Sequence, residues 1–148
     1  MDIPTSPAAI TPAWLTEALR HHLTGGVVTE VDAEDIGEGT GIFGEIARLR
    51  LSYDGTDGPS SLVAKMPCRE PENLVVAQAL GIYEREVNFF NEIAPQTPLR
   101  IPHCFLARLG DNGGFVLLLE DMSAEYDVGD QVVGATVAQA EAAIDSLR

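Results

Sequence analysis

Lys65 is the only lysine in the chain; the other eight basic residues are arginines. It sits inside the apolar run Ser61-Leu62-Val63-Ala64-Lys65-Met66, where an ammonium is costly unless a carboxylate answers it. The next segment offers one. From Asn73 to Ala94 the pattern is helical, and Ile82, Glu86, Phe89 and Ile93 recur along one stripe at intervals of four, three and four. That spacing aims Glu86 inward, flanked by Tyr83 and Phe90, whereas Glu84 shares a solvated face with Asn88 and Asn91. A Lys65–Glu86 ion pair is the expectation. The plainer outcomes are an edge lysine facing water and a Glu86 that is protonated or paired with an arginine. A compact cation held by a carboxylate is suited to meeting phosphate oxygens.

A second cluster lies upstream, in Ile36-Gly37-Glu38-Gly39-Thr40-Gly41-Ile42-Phe43-Gly44-Glu45-Ile46. Four glycines in eight residues mark a backbone that turns through positive φ or passes very close to something else. After Gly44 the period is two: Ala47, Leu49, Leu51 and Tyr53 on one face, Arg48, Arg50 and Ser52 on the other. A dinucleotide-binding G-x-G-x-x-G opens a helix, so a glycine turn that opens a strand excludes that reading. Gly39, Gly41, Gly44 and Ile46 instead match the spacing of G-x-G-x-x-G-x-V, a loop between two strands whose peptide N–H groups cover phosphates. A glycine-rich hairpin without a ligand has the same composition, so this loop does not decide the matter by itself.

The elements that must position these groups follow from turn and capping signals. Residues 1–10 read as a loose arm. Thr11 is an N-cap with Pro12 at the first helical position and Ile10 stapled against Leu15. The helical face Trp14, Leu15, Ala18, Leu19, His22 runs to Gly25-Gly26. His21 and His22 read as a helix end, because no third metal ligand is near. Strands are expected over 27–36, 45–53 and 61–66, the last stopped by Pro67, with a turn at 54–59. The helix over 73–94 breaks at Gly81 and stops at Pro95. Two further strands, 99–110 and 115–120, flank Asp111-Asn112-Gly113-Gly114. Phe115 to Leu119 is apolar throughout, as in a strand covered on both faces. It ends at Glu120-Asp121-Met122-Ser123, which could be a strand end capped by charge. Thr136 and Gln139 form a capping box that opens a helix with Val137, Ala140, Ile144 and Leu147 on its apolar face.

Composition bounds the partners. The chain has 148 residues, a formal charge of -14 and a pI near 4.3, which argues against a nucleic-acid or anionic-membrane surface. Cys68 and Cys104 make no disulfide framework and lack metal-site spacing, so a reducing cytoplasm is the expected setting. No apolar run approaches the roughly 20 residues of a membrane span, and no basic segment precedes an apolar one at the N-terminus as in a secretory signal.

The order of Gly-Glu-Gly-Thr-Gly (37–41), Leu-Val-Ala-Lys-Met-Pro (62–67), Tyr-Glu-Arg-Glu-Val (83–87) and Leu-Leu-Leu-Glu-Asp-Met (117–122) resembles the kinase-like aminoglycoside phosphotransferase superfamily. It looks closest to the branch with choline-kinase-like and ecdysteroid-kinase-like members, as does Gly129-Asp130-Gln131-Val132. The resemblance spans about residues 10–148. It implies an α+β fold: a protein-kinase-like N-terminal lobe with a five-stranded antiparallel sheet and an αC-type helix. Residues 1–26 would be an arm and helix, 27–121 the nucleotide-binding lobe, and 122–148 a hinge with the first helix of a C-terminal lobe. It implies ATP as cofactor, with the backbone of Gly39, Thr40, Gly41 and Gly44 over the phosphates. Lys65 would contact the α- and β-phosphates while paired with Glu86. Ile46 and Val63 would pack on the adenine, and backbone groups of Glu120 and Met122 would bond its edge.

The departure from the family is equally informative. Phosphoryl transfer needs a base-positioning Asp and ligands for magnesium. In the family these occupy a His-x-Asp loop with a following Asn, and a later Asp, in the second lobe. None of His21, His22 or His103 has Asp two residues on. The chain therefore reads as the first part of a phosphotransferase for a small hydroxyl substrate, a truncated product or fragment that is inactive alone, with magnesium expected only alongside the missing lobe. The alternative is a non-catalytic module binding a nucleotide or a protein, with the last helix docking on a partner or a second copy. A structural α+β domain whose glycines merely turn is a third reading.

Overall fold

Strands whose side chains alternate between two faces form the sheet against which the helices pack. The computed structural model describes residues 1–37, 42–111, 113–130 and 132–147. Strands β1 (Val27–Asp35), β2 (Gly44–Asp54) and β3 (Ser61–Pro67) form an antiparallel meander. After two helices come β4 (Cys104–Leu109) and β5 (Phe115–Glu120), and β5 inserts between β3 and β4. The result is one five-stranded antiparallel sheet in the order β1-β2-β3-β5-β4, in an α+β fold.

The sheet has two differently covered faces. Leu49, Leu51, Leu62, Ala64, Met66, Val116 and Leu118 point to the side where α1 (Pro12–Ala18) lays Leu15, with Leu19 beside it. Phe115 and Leu117 point the other way, against Ala77, Tyr83 and Val87 of α2 (Pro71–Ala79) and α3 (Ile82–Asn88). The unbroken apolar run of β5 follows from this position, covered on both sides.

Several boundaries differ from the sequence reading, each for a local reason. The first helix stops at Ala18, not at the glycines. Leu19 is fully buried, and tight turns follow it, with His22 N–H donating to the Leu19 carbonyl at 2.7 Å. The arm is not loose: Pro7 and Ile10 are buried, and Trp14 Nε1 donates to the Asp2 carbonyl at 2.7 Å. The Thr11 cap is present, its hydroxyl accepting from Trp14 N–H at 3.2 Å. The fourth strand begins at Cys104 because Pro98 and Pro102 interrupt the stretch before it.

The long helix begins at Pro71, breaks at Gly81 (φ +61°) as expected, and then loosens into a π turn over Phe89–Ile93. The buried stripe lies one residue round from the expected one, through Tyr83 and Val87 with Phe90 packed against them, while Phe89 is 37% and Ile93 54% exposed. Helix α4 (Val137–Asp145) carries the expected capping box, and its Val137 and Ile144 stand exposed. Among the described residues, no helix is long and apolar enough to cross a membrane.

Candidate functional site

Alternation along β3 separates two jobs. Leu62, Ala64 and Met66 are buried in the α1-side core, so Val63 and Lys65 must emerge on the opposite face. Register then sets their neighbours. Ile46 of β2 and Leu117 of β5 flank Lys65, and Arg48 and Leu119 flank Val63. Ile46, Val63, Lys65 and Leu119 therefore share one half-buried patch.

Helix α3 is locked over this face by aromatic packing. Tyr83 stacks on Phe115 with ring centroids 4.5 Å apart and an interplanar angle of 21°. Burial is the main reason the Tyr83 hydroxyl is pushed up to about 12, with its contact to Cys68 adding to the effect. With Tyr83 and Val87 buried against the sheet, Glu86 on the same helix meets Lys65: Nζ lies 2.5 Å from Glu86 Oε1. The two side chains are 30% and 24% exposed, enough cover to strengthen the pair and enough access for a ligand to reach the ammonium.

Gly44 is part of the same construction. It stands opposite Pro67 in register, and a Cβ on it would lie 3.1 Å from Lys65 Cε and 3.2 Å from the Met66 carbonyl oxygen. Close approach to the lysine, not positive φ, is what asks for glycine here. Gly39, Thr40 and Gly41 lie outside the described residues.

At the far end of β5, Glu120 and Met122 have commitments of their own. Glu120 N–H donates to the His103 carbonyl at 2.8 Å, so that peptide N–H is not available to a ligand. The Glu120 carboxylate takes both Arg100 Nη atoms at 2.8 Å and His103 N–H at 2.9 Å. These contacts, Arg100 first, draw the group down to about 2. The Met122 carbonyl accepts from Glu125 N–H and Tyr126 N–H, each at 3.0 Å.

The periodicity did not reveal Asp121. Its Oδ2 accepts from Arg48 Nε and Ser61 Oγ, both at 2.8 Å, and its Oδ1 from Ser123 N–H at 3.1 Å. Burial opposes its ionisation, yet the bonds from Ser123, Ser61 and Arg48 outweigh that and hold the carboxyl below the ordinary range. The one available signal was Arg48, which alternation puts on the face of Ile46.

His22 ends up edge-on to Phe105 and His103, with centroids 5.0 Å and 5.6 Å away. Among the described residues, no group of three or more His, Cys, Asp or Glu side chains is placed to hold a metal ion. A cavity of about 330 Å³ opens behind α3, lined by Ala77, Gln78, Gly81, Tyr83, Glu84 and Leu109, away from Lys65. Comparisons with protein-family models, curated proteins and solved structures each return no match. Geometry is thus what carries a functional reading.

Proposed function

We propose that residues 27–121 form the ATP-binding, protein-kinase-like N-lobe of a phosphotransferase acting on a hydroxyl of a small molecule, of the kinase-like aminoglycoside phosphotransferase type. The observation that carries this is the partly exposed Lys65–Glu86 pair at 2.5 Å, beside Gly44 and on the same face as Ile46 and Val63. A lysine held this way meets α- and β-phosphate oxygens without moving, which lowers the ordering cost of binding. Ile46 and Val63 would offer the adenine an apolar surface. With Glu120 N–H spent on His103, the adenine edge would be read by the Glu120 carbonyl and the Met122 N–H. Residues 122–148 would be the hinge and the first helix of a second lobe.

Residues 1–148 contain no His-x-Asp sequence, so the groups that position the attacking hydroxyl and magnesium would come from elsewhere. Binding without turnover is the expected behaviour of these residues. Titration with a fluorescent ATP analogue tests the reading: the protein binds it, unlabelled ATP displaces it, and Lys65→Met weakens it about tenfold or more. No binding by the unaltered protein would refute the proposal.

A second reading, a module that binds nucleotide or protein without chemistry, is favoured by the exposed Val137, Ile144 and Leu147 around α4. Heating residues 1–148 separates the two: a cooperative transition supports the module, and aggregation with strong dye binding supports a severed lobe.

A further inference from the structure

We propose that Asp121 is a positioning residue for base selection: it fixes the Glu120–Met122 segment so that its peptide groups discriminate among nucleotide bases. The inference deepens the ATP-site reading and rests on it. Asp121 is the first residue after β5, where the ladder ends and nothing in the sheet constrains the chain further. Its carboxylate replaces the ladder. One oxygen gathers Arg48 of β2 and Ser61 of β3, and the other gathers Ser123 N–H, so three separate segments converge on a side chain only 6% exposed.

The neighbouring residue is secured from the opposite direction. Glu120 binds Arg100 through both oxygens and exchanges bonds with His103 on the β4 side. Two consecutive acidic side chains thus hold two consecutive peptide units, one toward β3 and one toward β4. Arg48 also stands opposite Val63 in register, at the edge of the patch formed by Ile46, Val63 and Leu119. The clamp therefore adjoins the apolar surface on which the base would lie. Peptide groups select a base only if they are held before it arrives, because donors and acceptors that must be ordered on binding lose discrimination.

The test measures ATP and CTP affinities of the full chain by displacement of the fluorescent ATP analogue, with melting temperatures recorded for every variant. The unaltered protein should prefer ATP. Asp121→Asn keeps the shape but turns an amide on Arg48, and should cut the ATP-to-CTP preference about tenfold while leaving CTP within about twofold. Arg48→Met should act in the same direction, and Arg48→Lys should restore part of the preference. Lys65→Met, by contrast, should weaken both nucleotides equally. If Asp121→Asn does not fold, Ser61→Ala removes one donor and should reduce the preference by about threefold. No preference in the unaltered protein, or a preference that survives these changes, overturns the role of Asp121 and leaves nucleotide binding standing. Failure to bind either nucleotide overturns both.

Discussion

Glu86 Oε1 of α3 meets Lys65 Nζ of β3 at 2.5 Å, although α3 is anchored on the neighbouring β5, by Tyr83 and Val87 against Phe115 and Leu117. The ion pair adds a contact from α3 to β3 beside that packing. Both side chains keep about a quarter of their surface in water, so the pair itself is worth about 1 kcal/mol or less to folding. Lys65→Met should accordingly leave the urea midpoint nearly unchanged, so that any loss of nucleotide binding reports on the site.

Gly44 should tolerate no side chain without disturbing that lysine. Gly44→Ala would place Cβ against Lys65 Cε and the Met66 carbonyl, costing about 1 kcal/mol and pushing the ammonium away from Glu86. Chemical denaturation measures the first effect. The second would appear as weaker binding of the fluorescent ATP analogue than the stability loss explains.

Gly81 is required by its backbone alone. It adopts φ +61°, and the nearest atom to a Cβ there would be Glu84 Oε2 at 4.0 Å. Gly81→Ala should therefore cost about 1 kcal/mol, and Gly81→Asn less, because Asn enters the left-handed region more readily. Equal losses in urea unfolding would mean that space and not φ sets the requirement.

How much of this was legible beforehand varies with the range of the interaction. The face shared by Ile46, Val63 and Lys65 follows from a period of two, which a strand cannot escape, and β3 and β5 fall where their apolar runs predict. Glu86 was reached through a stripe that the structure redraws. The inward turn is right, but Phe89 and Ile93 are not its buried companions, since the stripe that packs on the sheet runs one residue round, through Tyr83, Val87 and Phe90. The Arg48–Asp121 contact spans 73 residues and leaves no local signature, so Asp121 looked like an ordinary charged strand end. The early end of α1 was hidden likewise, because the burial of Leu19 is decided by β-strands that come later in the chain.

Acid should unfold the protein through identifiable carboxylates. Glu120 and Asp121 are both held below their ordinary values near 4.5 and 3.8. A depressed folded-state value stabilises above the unfolded value and loses that contribution as pH falls through the folded one. Melting temperature should thus be flat near neutrality and fall from about pH 4.5 toward pH 2. Asp121→Asn should lower stability by about 2 kcal/mol at pH 7 and flatten the acid limb. Parallel curves for the two proteins would show that Asp121 is not among the groups that titrate on unfolding.

The most direct measurement is a double-mutant cycle on ATP affinity across the unaltered protein, Lys65→Met, Glu86→Gln and the pair combined. If the carboxylate acts by holding the ammonium over the phosphates, each single change weakens ATP and the double variant is no worse than Lys65→Met alone. Additive losses, an unaffected Glu86→Gln, or no ATP binding by the unaltered protein would contradict that account.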